Sequence, residues 1–355
     1  MKEIGSEFSL YSETDYYFSH IKNFGKSVRF LRCGRDAIGY VANLLNRNTG
    51  IILMPAYCCD SMVNPFEVKG WKIVYYPINE DLSIDVQYLI SANEEYHPDV
   101  VFLMNFFGIA DTLKSINIIR QKCPGIQIIE DITHSLFDLD KIYSNQVDYY
   151  IGSIRKWFGI VDGALVIATK NEIPEIDYFE SDFVTLRRQG LALKEEYIHT
   201  NSPETKQIFR KVLFDAENSL DNGSNPCSIS PESQLILDNM NVETLRNNRK
   251  CNAKVLLDRL STVPKIQFPK GIENILKITP FSIPILVENR AFIQTKLASN
   301  GIYCSLLWPL SNEARKISRF AEKMESSMLS IPIDQRYDAS EMNIIYNVIS
   351  DLLER

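Results

Sequence analysis

Short apolar runs alternate with amphipathic stretches from about residue 28 to residue 170 of the chain. The runs are rich in Val, Ile and Tyr and are continuously apolar, which is typical of strands that are covered on both faces. Strands that alternate with helices in this way predict a mainly parallel sheet and an α/β fold. The predicted strands are Ile51–Met54, Lys72–Tyr76, Val100–Asn105, Ile126–Glu130, Asp148–Ile151 and Ala164–Ala168.

Helices are predicted in the polar stretches between these strands, and several of them begin with Asp, which is a favoured N-cap or first-turn residue. The stretch of about 15 residues between Asp131 and Asp148 is too short for a crossover helix, which indicates a loop or a small hairpin. The predicted helices are Arg35–Asn46, Asp60–Lys69, Asp85–Ser91 and Asp111–Lys122.

The pattern loosens between residues 171 and 230, where the polar helical piece Ser202–Asn218 is followed by a segment rich in turn residues. A chain of 355 residues exceeds what one hydrophobic core usually fills, so we predict two domains. Residues 1–230 would form a large α/β domain, and residues 231–355 a smaller α+β domain. The smaller domain is predicted to contain the helix Pro231–Leu260, the strand Lys277–Leu286 and the helices Arg290–Asn300 and Glu341–Leu353.

The composition, with 45% hydrophobic and 23% charged residues, is that of an ordinary globular protein. A net charge of −7 argues against binding to nucleic acid or to an anionic membrane. The sequence shows neither a signal-peptide pattern nor an apolar run of about 18 or more residues. Its seven cysteines include no CxxC pair, so neither a disulfide framework nor a zinc site is expected. We expect a cytoplasmic protein without a metal site.

The segment IIEDITHS places Asp131 at the carboxyl end of a predicted strand. In open α/β sheets this edge is where ligands bind. A carboxylate there can pair with a buried cation such as a protonated pyridine nitrogen, although capping of the next element is an equally good interpretation. His134, one of only four histidines, would hydrogen-bond a ring oxygen or belong to a polar network.

The segment GSIRKW follows an apolar strand directly, so Lys156 is expected near the same sheet edge as Asp131. Most lysines are solvated, but Trp157 makes this position partly apolar, which favours a neutral and nucleophilic amine. Ser153, three residues earlier, offers a hydroxyl group to an anion. The combination S-x-x-K followed by DGALVI is more specific than either residue alone.

Two further segments run from a predicted strand or turn into a helix. In RCGRDAI, Gly34 allows close approach of the backbone just before a helix N-terminus, where phosphate groups bind, although a plain turn is the alternative. In MPAYCCDS, Tyr57 could stack on a flat ring or could simply pack in the core, as most large aromatic residues do. Cys58 and Cys59 have no further ligand at metal-binding spacing.

In their order along the chain, GRDAI, PAYCC, EDITHS and SIRKW–DG resemble the DegT/StrS family of sugar aminotransferases, which depend on pyridoxal 5′-phosphate (PLP). The segments NFFGIADT, LLWPL and LSIPIDQRY extend the resemblance over most of the chain. It implies the type I PLP-dependent transferase fold of aspartate aminotransferase, with a mainly parallel sheet in a large domain and a smaller α+β C-terminal domain. It also implies PLP as the cofactor.

The resemblance implies a role for each matching residue. Lys156 would form the Schiff base with PLP and then shuttle a proton between the substrate and cofactor carbons. Asp131 would keep the pyridine nitrogen protonated, so that the ring acts as an electron sink. His134 would contact the ring hydroxyl or stack nearby. Tyr57, or alternatively Cys59, would stack on the ring.

The resemblance also implies how the phosphate is held. Ser153 and the backbone N–H groups of Gly34 and Arg35 would bind it. The family's Thr after this glycine is replaced by Arg35, which would supply a charge or point away. A partner subunit completes the phosphate pocket in this family, so a homodimer is expected, with Asn218 or Asn222 as the residue that reaches across.

The activity implied is transfer of an amino group from glutamate to a keto sugar. The sugar would be nucleotide-linked and destined for a surface polysaccharide or glycoconjugate. Two alternatives stay open, because the cofactor residues do not discriminate between them: another PLP reaction on an amino acid, or a non-catalytic PLP-binding relative. Arg336 is a candidate for a carboxylate or phosphate contact.

Overall fold

A seven-stranded sheet lies at the centre of the larger part of the molecule in a computed structural model, which describes residues 3–8, 17–45, 49–220 and 225–354. Its strands are β1 (Ser27–Leu31), β2 (Ile51–Pro55), β3 (Lys72–Tyr76), β4 (Val100–Met104), β5 (Gln127–Asp131), β6 (Tyr149–Ser153) and β7 (Ala164–Ala168).

The strand order across this sheet is β1-β7-β6-β5-β4-β2-β3. Pairing from β3 through β6 is parallel, and β7 runs antiparallel to both of its neighbours, β6 and β1. The predicted mainly parallel α/β sheet is confirmed. The strand β1 was not among the predicted strands, because its middle residues are only partly buried at the sheet edge and the apolar signal is weak there.

The residues of β4 show why these strands are continuously apolar. Val100, Phe102 and Met104 belong to one buried cluster, and Val101 and Leu103 belong to a second cluster on the opposite face. Both faces are therefore covered by helices, as expected for a parallel sheet. The helices of this part are α1 (Tyr17–Ile21), α2 (Gly34–Leu44), α3 (Asp60–Glu67), α4 (Val86–Tyr96), α5 (Thr112–Lys122), α6 (Leu139–Ile142), α7 (Asp182–Thr200) and α8 (Pro203–Ser219).

The C-terminal part of the chain is built around a two-stranded antiparallel sheet, β8 (Ile283–Leu286) with β9 (Met328–Ile331). Within the described ranges no helix combines the length and the apolarity needed to cross a bilayer. The helices of this part are α9 (Pro231–Asp238), α10 (Val242–Leu260), α11 (Arg290–Ser299), α12 (Asn312–Ile317), α13 (Arg319–Ser327) and α14 (Ala339–Glu354).

Two predicted elements of the C-terminal part were wrong in extent. The single helix Pro231–Leu260 is two helices, because the side chain of Asn241 accepts the N–H of Thr244 and so caps the start of α10. The predicted strand Lys277–Leu286 forms a strand only from Ile283 onward, and a 3₁₀ turn precedes it. The two-domain division at residue 230 stays a prediction, since Leu237 of α9 packs in a cluster with residues of the large sheet.

The connection between β5 and β6 is neither an open loop nor a hairpin. It contains a 3₁₀ turn, Leu136–Asp138, followed directly by the one-turn helix α6. Leu136, Phe137 and Leu139 are fully buried, so this short segment packs tightly beneath the sheet edge. Its length leaves no room for a crossover helix, as the sequence indicated.

A buried ion pair fixes the start of α2 relative to β1. The guanidinium of Arg32 donates two hydrogen bonds to the carboxylate of Asp36, at 2.8 and 3.0 Å, and both side chains are almost completely buried. The N–H of Cys227 adds a third contact to this carboxylate at 3.3 Å. The N-terminus of α2 is therefore anchored from two directions.

Removal of the cation should destabilise the protein strongly. Arg32→Met would leave the carboxylate of Asp36 buried without its cationic partner, so we expect the free energy of unfolding to fall by about 3–5 kcal/mol. The matched control is Lys22→Met, because its ammonium lies 3.6 Å from Asp238 at a half-exposed position and should contribute less than about 1 kcal/mol. Urea unfolding followed by tryptophan fluorescence measures both, and equal midpoints for the two variants would contradict the assignment.

Candidate functional site

A cavity opens at the carboxyl ends of β4, β5 and β6, beside the N-terminus of α2 and the C-terminal end of α8. This is the edge at which parallel α/β sheets bind ligands. Six of the residues singled out in the sequence line it: Gly34, Arg35, Cys59, Asp131, Ser153 and Lys156. Residues that the sequence reasoning did not assign to the site also line it, among them Thr133, Arg155, Glu217 and Trp308.

Asp131 is the last residue of β5 and is 7% exposed. Its Oδ1 accepts the backbone N–H of Thr133 at 2.7 Å. Burial raises the pKa of Asp131 above its usual value, although the bonds from Thr133 and the nearby charge of Lys156 partly oppose this effect. A buried carboxylate in this state gains stability from any cation placed against it.

Thr133 joins the two strand ends of the site through three different groups. Its N–H holds Asp131, its hydroxyl accepts the backbone N–H of Ser153 at 3.0 Å, and its carbonyl accepts the indole N–H of Trp157 at 2.7 Å. Ser153 ends β6, and Trp157 directly follows Lys156. One residue after β5 therefore sets the positions of the acid, the serine and the lysine segment.

Lys156 lies on the turn after β6, with its side chain exposed and lining the cavity. The peptide after it is held from the C-terminal part, because the Trp157 carbonyl accepts bonds from Arg249 at 3.2 Å and from Gln335 at 2.9 Å. The peptide before it is held by the Gly163 carbonyl, which accepts the N–H groups of residues 154 and 155. The amine is thus carried by a fixed backbone and reaches an open space.

The N-terminus of α2 forms the wall of the cavity beside Ser153. Gly34 is its first residue, and a Cβ atom placed there would lie only 3.5 Å from Cβ of Ser153. The N-cap Cys33 makes no side-chain capping bond, and burial raises the pKa of its thiol to about 12. The wall therefore combines helix N–H groups with the Ser153 side chain, a combination suited to an anion.

Arg155 and Glu217 form an ion pair on the cavity wall that the sequence reasoning missed. The Arg155 guanidinium lies 2.9 Å from the Glu217 carboxylate, and Arg187 lies 3.7 Å from the same carboxylate. Burial by itself would raise the pKa of Glu217, but the two guanidinium groups outweigh it and hold the pKa below its usual value. The position of Arg155 beside Lys156 was a visible signal, whereas Glu217 lies on a distant helix and gave none.

The structure places Tyr57 and His134 behind the cavity wall rather than on it. Tyr57 is fully buried, and its hydroxyl donates to the Leu307 carbonyl at 2.7 Å. His134 is also buried, and its Nδ1 accepts the N–H of Phe107 at 3.2 Å, so the proton of the neutral ring is on Nε2. Burial lowers the pKa of His134 well below its usual value.

Trp308 is the aromatic residue among those that line the cavity. Cys59 also lines it. Its ring centroid is 5.0 Å from that of Tyr57 and 5.9 Å from that of His134, to which it lies nearly parallel. Neither Tyr57 nor His134 lines the cavity, and their contacts with a cofactor ring stay predictions. The hydrogen bond of the Tyr57 hydroxyl inside the core explains why this residue packs there.

One further predicted contact is not found at the cavity. Arg336 is engaged by the carboxylate of Asp334 and by the carbonyls of Ser6 and Glu7, away from Lys156. Asn218, which was predicted to reach the cavity of a partner subunit, is exposed at the end of α8, and that contact stays a prediction. The alternative candidate, Asn222, lies outside the described residues.

Three solved structures with a similar fold are low in sequence identity to this chain. A DegT/DnrJ/EryC1/StrS aminotransferase from Brucella abortus is 16% identical, covers 96% of this chain and 90% of its own, and gives a TM-score of 0.62. The putative sugar aminotransferase Spr1654 from Streptococcus pneumoniae, in its PLP form, is 13% identical, with 99% and 93% covered and a TM-score of 0.66. DesI, in the presence of its TDP-sugar product, is 12% identical, with 96% and 84% covered and a TM-score of 0.67.

The chain has the fold of these aminotransferases. The fold class predicted from the sequence is therefore confirmed over nearly the whole chain. No protein-family model matches the sequence, and the search of curated proteins gives no match. At these identities the likeness establishes the fold, and the chemistry has to be argued from the residues of the cavity.

We expect Thr133→Val to loosen the site and to destabilise the protein. The variant keeps the volume but removes the hydroxyl that accepts the buried N–H of Ser153, which should lower the free energy of unfolding by about 1–3 kcal/mol. Thr133→Ser keeps the acceptor and should stay close to the parent protein. Thr295→Val, at an exposed position of α11, is the matched control. Equal urea midpoints for Thr133→Val and Thr295→Val would show that the Thr133 hydroxyl does not contribute to stability.

Glu130 is a fully buried acid next to Asp131 in β5, and neither of its carboxyl oxygens has a hydrogen-bond partner among the described residues. Burial raises the pKa of Glu130 to about 8, the charge of Asp131 adds to the shift, and the Thr112 hydroxyl partly offsets it. The folded protein therefore binds this proton more tightly than the unfolded chain does.

This difference predicts a pH dependence of stability. Between about pH 4.5, where the unfolded chain loses this proton, and about pH 8, where the folded protein loses it, the free energy of unfolding should fall with rising pH by at most about 1.4 kcal/mol per pH unit from this group. Glu130→Gln removes the contribution, so its stability relative to the parent should increase between pH 5 and pH 8. Urea midpoints of both proteins at three pH values test this, and a constant difference would refute it.

Proposed function

We propose that the protein is a PLP-dependent aminotransferase that transfers the amino group of glutamate to a keto sugar. The observation that carries the proposal is the convergence of Lys156 and Asp131, from adjacent strand ends, on one cavity that also contains a helix N-terminus. An amine, a buried carboxylate and an anion-binding wall are the three groups that PLP requires of a protein.

The residues of the cavity fit this cofactor. Asp131 is a buried carboxylate whose raised pKa shows that it lacks a full cationic partner, which a protonated pyridine nitrogen would supply. The N-terminus of α2 with Ser153 suits the phosphate group. The indole of Trp308 and the side chain of Cys59 offer apolar contacts to a flat ring between these two ends.

Bound PLP supplies an aldehyde that condenses with amines and a ring that takes up electrons from the substrate carbon. Lys156 would provide the amine that holds the cofactor and would carry the proton between the two reacting carbons. Asp131 would stay ionised against the ring nitrogen, with its orientation set by the N–H of Thr133. The neutral imidazole of His134 lies nearly parallel to the indole of Trp308 and would fix the orientation of that indole against the cofactor ring.

The substrate assignment draws on the solved structures as well as on the site. DesI was crystallised with a TDP-sugar product, and Spr1654 is described as a sugar aminotransferase, which supports a nucleotide-linked keto sugar as acceptor and a place in polysaccharide or glycoconjugate synthesis. Glutamate is proposed as the amino donor. All seven cysteines are free thiols, which fits a reducing cytoplasm.

A homodimer is part of this proposal. The helix α8 carries Glu217 on the cavity and also presents Phe214 to solvent, with 64% of that residue exposed. Ile208 on the same helix is 45% exposed. Exposed large apolar side chains next to a site support coverage by another chain, and we propose that a second subunit packs there.

The absorbance spectrum tests the proposal directly. With PLP the protein should show a band near about 420 nm, and glutamate should replace it by a band near about 330 nm. Lys156→Ala should lose the covalent attachment, so borohydride should fix no cofactor to this variant. Lys114→Ala, at a strongly exposed position of α5, is the control and should behave as the parent.

The other possible absorbance spectra distinguish between the alternative functions. A band that forms but ignores glutamate would indicate another donor or another PLP reaction on an amino acid. The absence of any band at excess PLP would mean that the protein keeps the fold without the cofactor, and the proposal would then be abandoned.

A further inference from the structure

The side chain of Arg155 lines the cavity, whose wall at the N-terminus of α2 is the proposed phosphate-binding site. Its Nη2 lies 2.9 Å from Oε2 of Glu217, and its buried Nε has no hydrogen-bond partner among the described residues. A guanidinium has five N–H donors in a planar fork that matches the oxygens of a phosphate group. Arg155 therefore keeps donor capacity that Glu217 alone does not use.

The charge of Arg155 is close to the N-terminus of α2. Arg155 and Cys33, the N-cap residue of this helix, both line the cavity. Gly34 and Ser153 line the same wall, and a Cβ atom placed on Gly34 would lie 3.5 Å from Cβ of Ser153. A guanidinium, a hydroxyl and a helix N-terminus thus surround one small volume.

The carboxylate of Glu217 can separate from Arg155 without becoming an unpaired charge. Its side chain is 44% exposed, and Arg187 lies 3.7 Å from its other oxygen. A doubly charged phosphate at the α2 N-terminus would attract Arg155 and repel Glu217. Because Arg187 remains beside Glu217 as a second cation, this exchange of partners does not create a buried unpaired charge.

We propose that Arg155 is the cationic ligand of the cofactor phosphate, and that Glu217 is the counter-ion that occupies Arg155 when the phosphate is absent. The assignment rests on the proposed function, since it names a binding residue of the same site. It gives the cavity a charged contact where a threonine hydroxyl is lacking at Arg35. It also makes Glu217 a competitor of the phosphate, so that the two residues have opposite effects on affinity.

The test compares PLP with pyridoxal, which has the same aldehyde and ring but no phosphate. The protein is freed of cofactor and titrated with each compound, and Kd is read from the change in absorbance. For Arg155→Gln we expect the Kd for PLP to rise about ten-fold or more, with little change for pyridoxal, because a charge-assisted bond to the phosphate is lost. For Glu217→Gln we expect the Kd for PLP to fall about three-fold or more, with pyridoxal again unchanged.

Matched controls remove the same chemical groups outside the cavity. Arg188→Gln and Glu232→Gln break an ion pair of 2.9 Å on the surface of α7 and α9, and both should bind PLP and pyridoxal as the parent does. Arg155→Lys keeps the charge without the fork and should give a Kd for PLP between those of the parent and Arg155→Gln. Should Arg155→Gln fail to fold, Arg155→Lys and Glu217→Gln carry the test.

Each outcome supports or overturns the assignment. Equal changes in Kd for PLP and pyridoxal would place Arg155 against the ring or in the scaffold and would overturn its role as phosphate ligand. Weaker or unchanged PLP binding by Glu217→Gln would overturn the counter-ion role. Failure of the parent protein to bind PLP at all would instead overturn the proposed function, so the two failures are distinguishable.

Discussion

The hydrogen bonds of Thr133 are the interaction on which the arrangement of the site depends. The register of the sheet makes these hydrogen bonds possible. Asp131 of β5 lies opposite Ile151 of β6, so the segments that follow the two strands leave the sheet side by side. Thr133 lies just beyond that point, where its N–H, hydroxyl and carbonyl all have partners within reach. The buried acid and the lysine-bearing turn are consequently parts of one rigid unit.

The lining of the cavity carries charges of both signs. Asp131 is a buried acid with a raised pKa, and Arg155 and the α2 N-terminus contribute positive charge. Buried charges are stable only with partners, so the protein keeps Arg155 paired with Glu217. A ligand that combines a cationic ring with an anionic group complements both kinds of group. This combination is a stronger argument for PLP than either charge alone.

The C-terminal part of the chain completes the site rather than merely adjoining it. Trp308 lines the cavity, and Arg249 and Gln335 both bind the carbonyl of Trp157 beside the reactive lysine. Arg249 is fully buried and also stacks on the Trp157 ring at 4.6 Å. Any change in the position of this part relative to the large sheet would therefore be felt at Lys156.

Local patterns in the sequence were sufficient for the strands of the large sheet, their mainly parallel pairing and the residues at strand ends. Asp131, Ser153, Lys156 and Gly34 could be selected because continuous apolar strands and their carboxyl ends are visible in a linear chain. The aromatic wall could not be selected in this way. The sequence pointed to Tyr57, with Cys59 as the alternative, but Tyr57 is buried with its hydroxyl bonded to the Leu307 carbonyl, and Trp308 lines the cavity.

Ion pairs between residues that are distant in the chain also could not be predicted from the sequence. Arg155 is adjacent to Lys156, but its partner Glu217 is on a helix about sixty residues further along the chain, and ion pairs over such separations are set by helix packing. The break between α9 and α10 likewise depends on Asn241, since a capping asparagine is hard to distinguish from a helical one within a continuous pattern. The sequence by itself therefore determined the mainly parallel sheet and placed the pair Asp131 and Lys156 at its carboxyl edge, because these follow from local periodicity. The tertiary structure decided which aromatic and charged side chains surround that pair, because those contacts join residues that are distant in the chain.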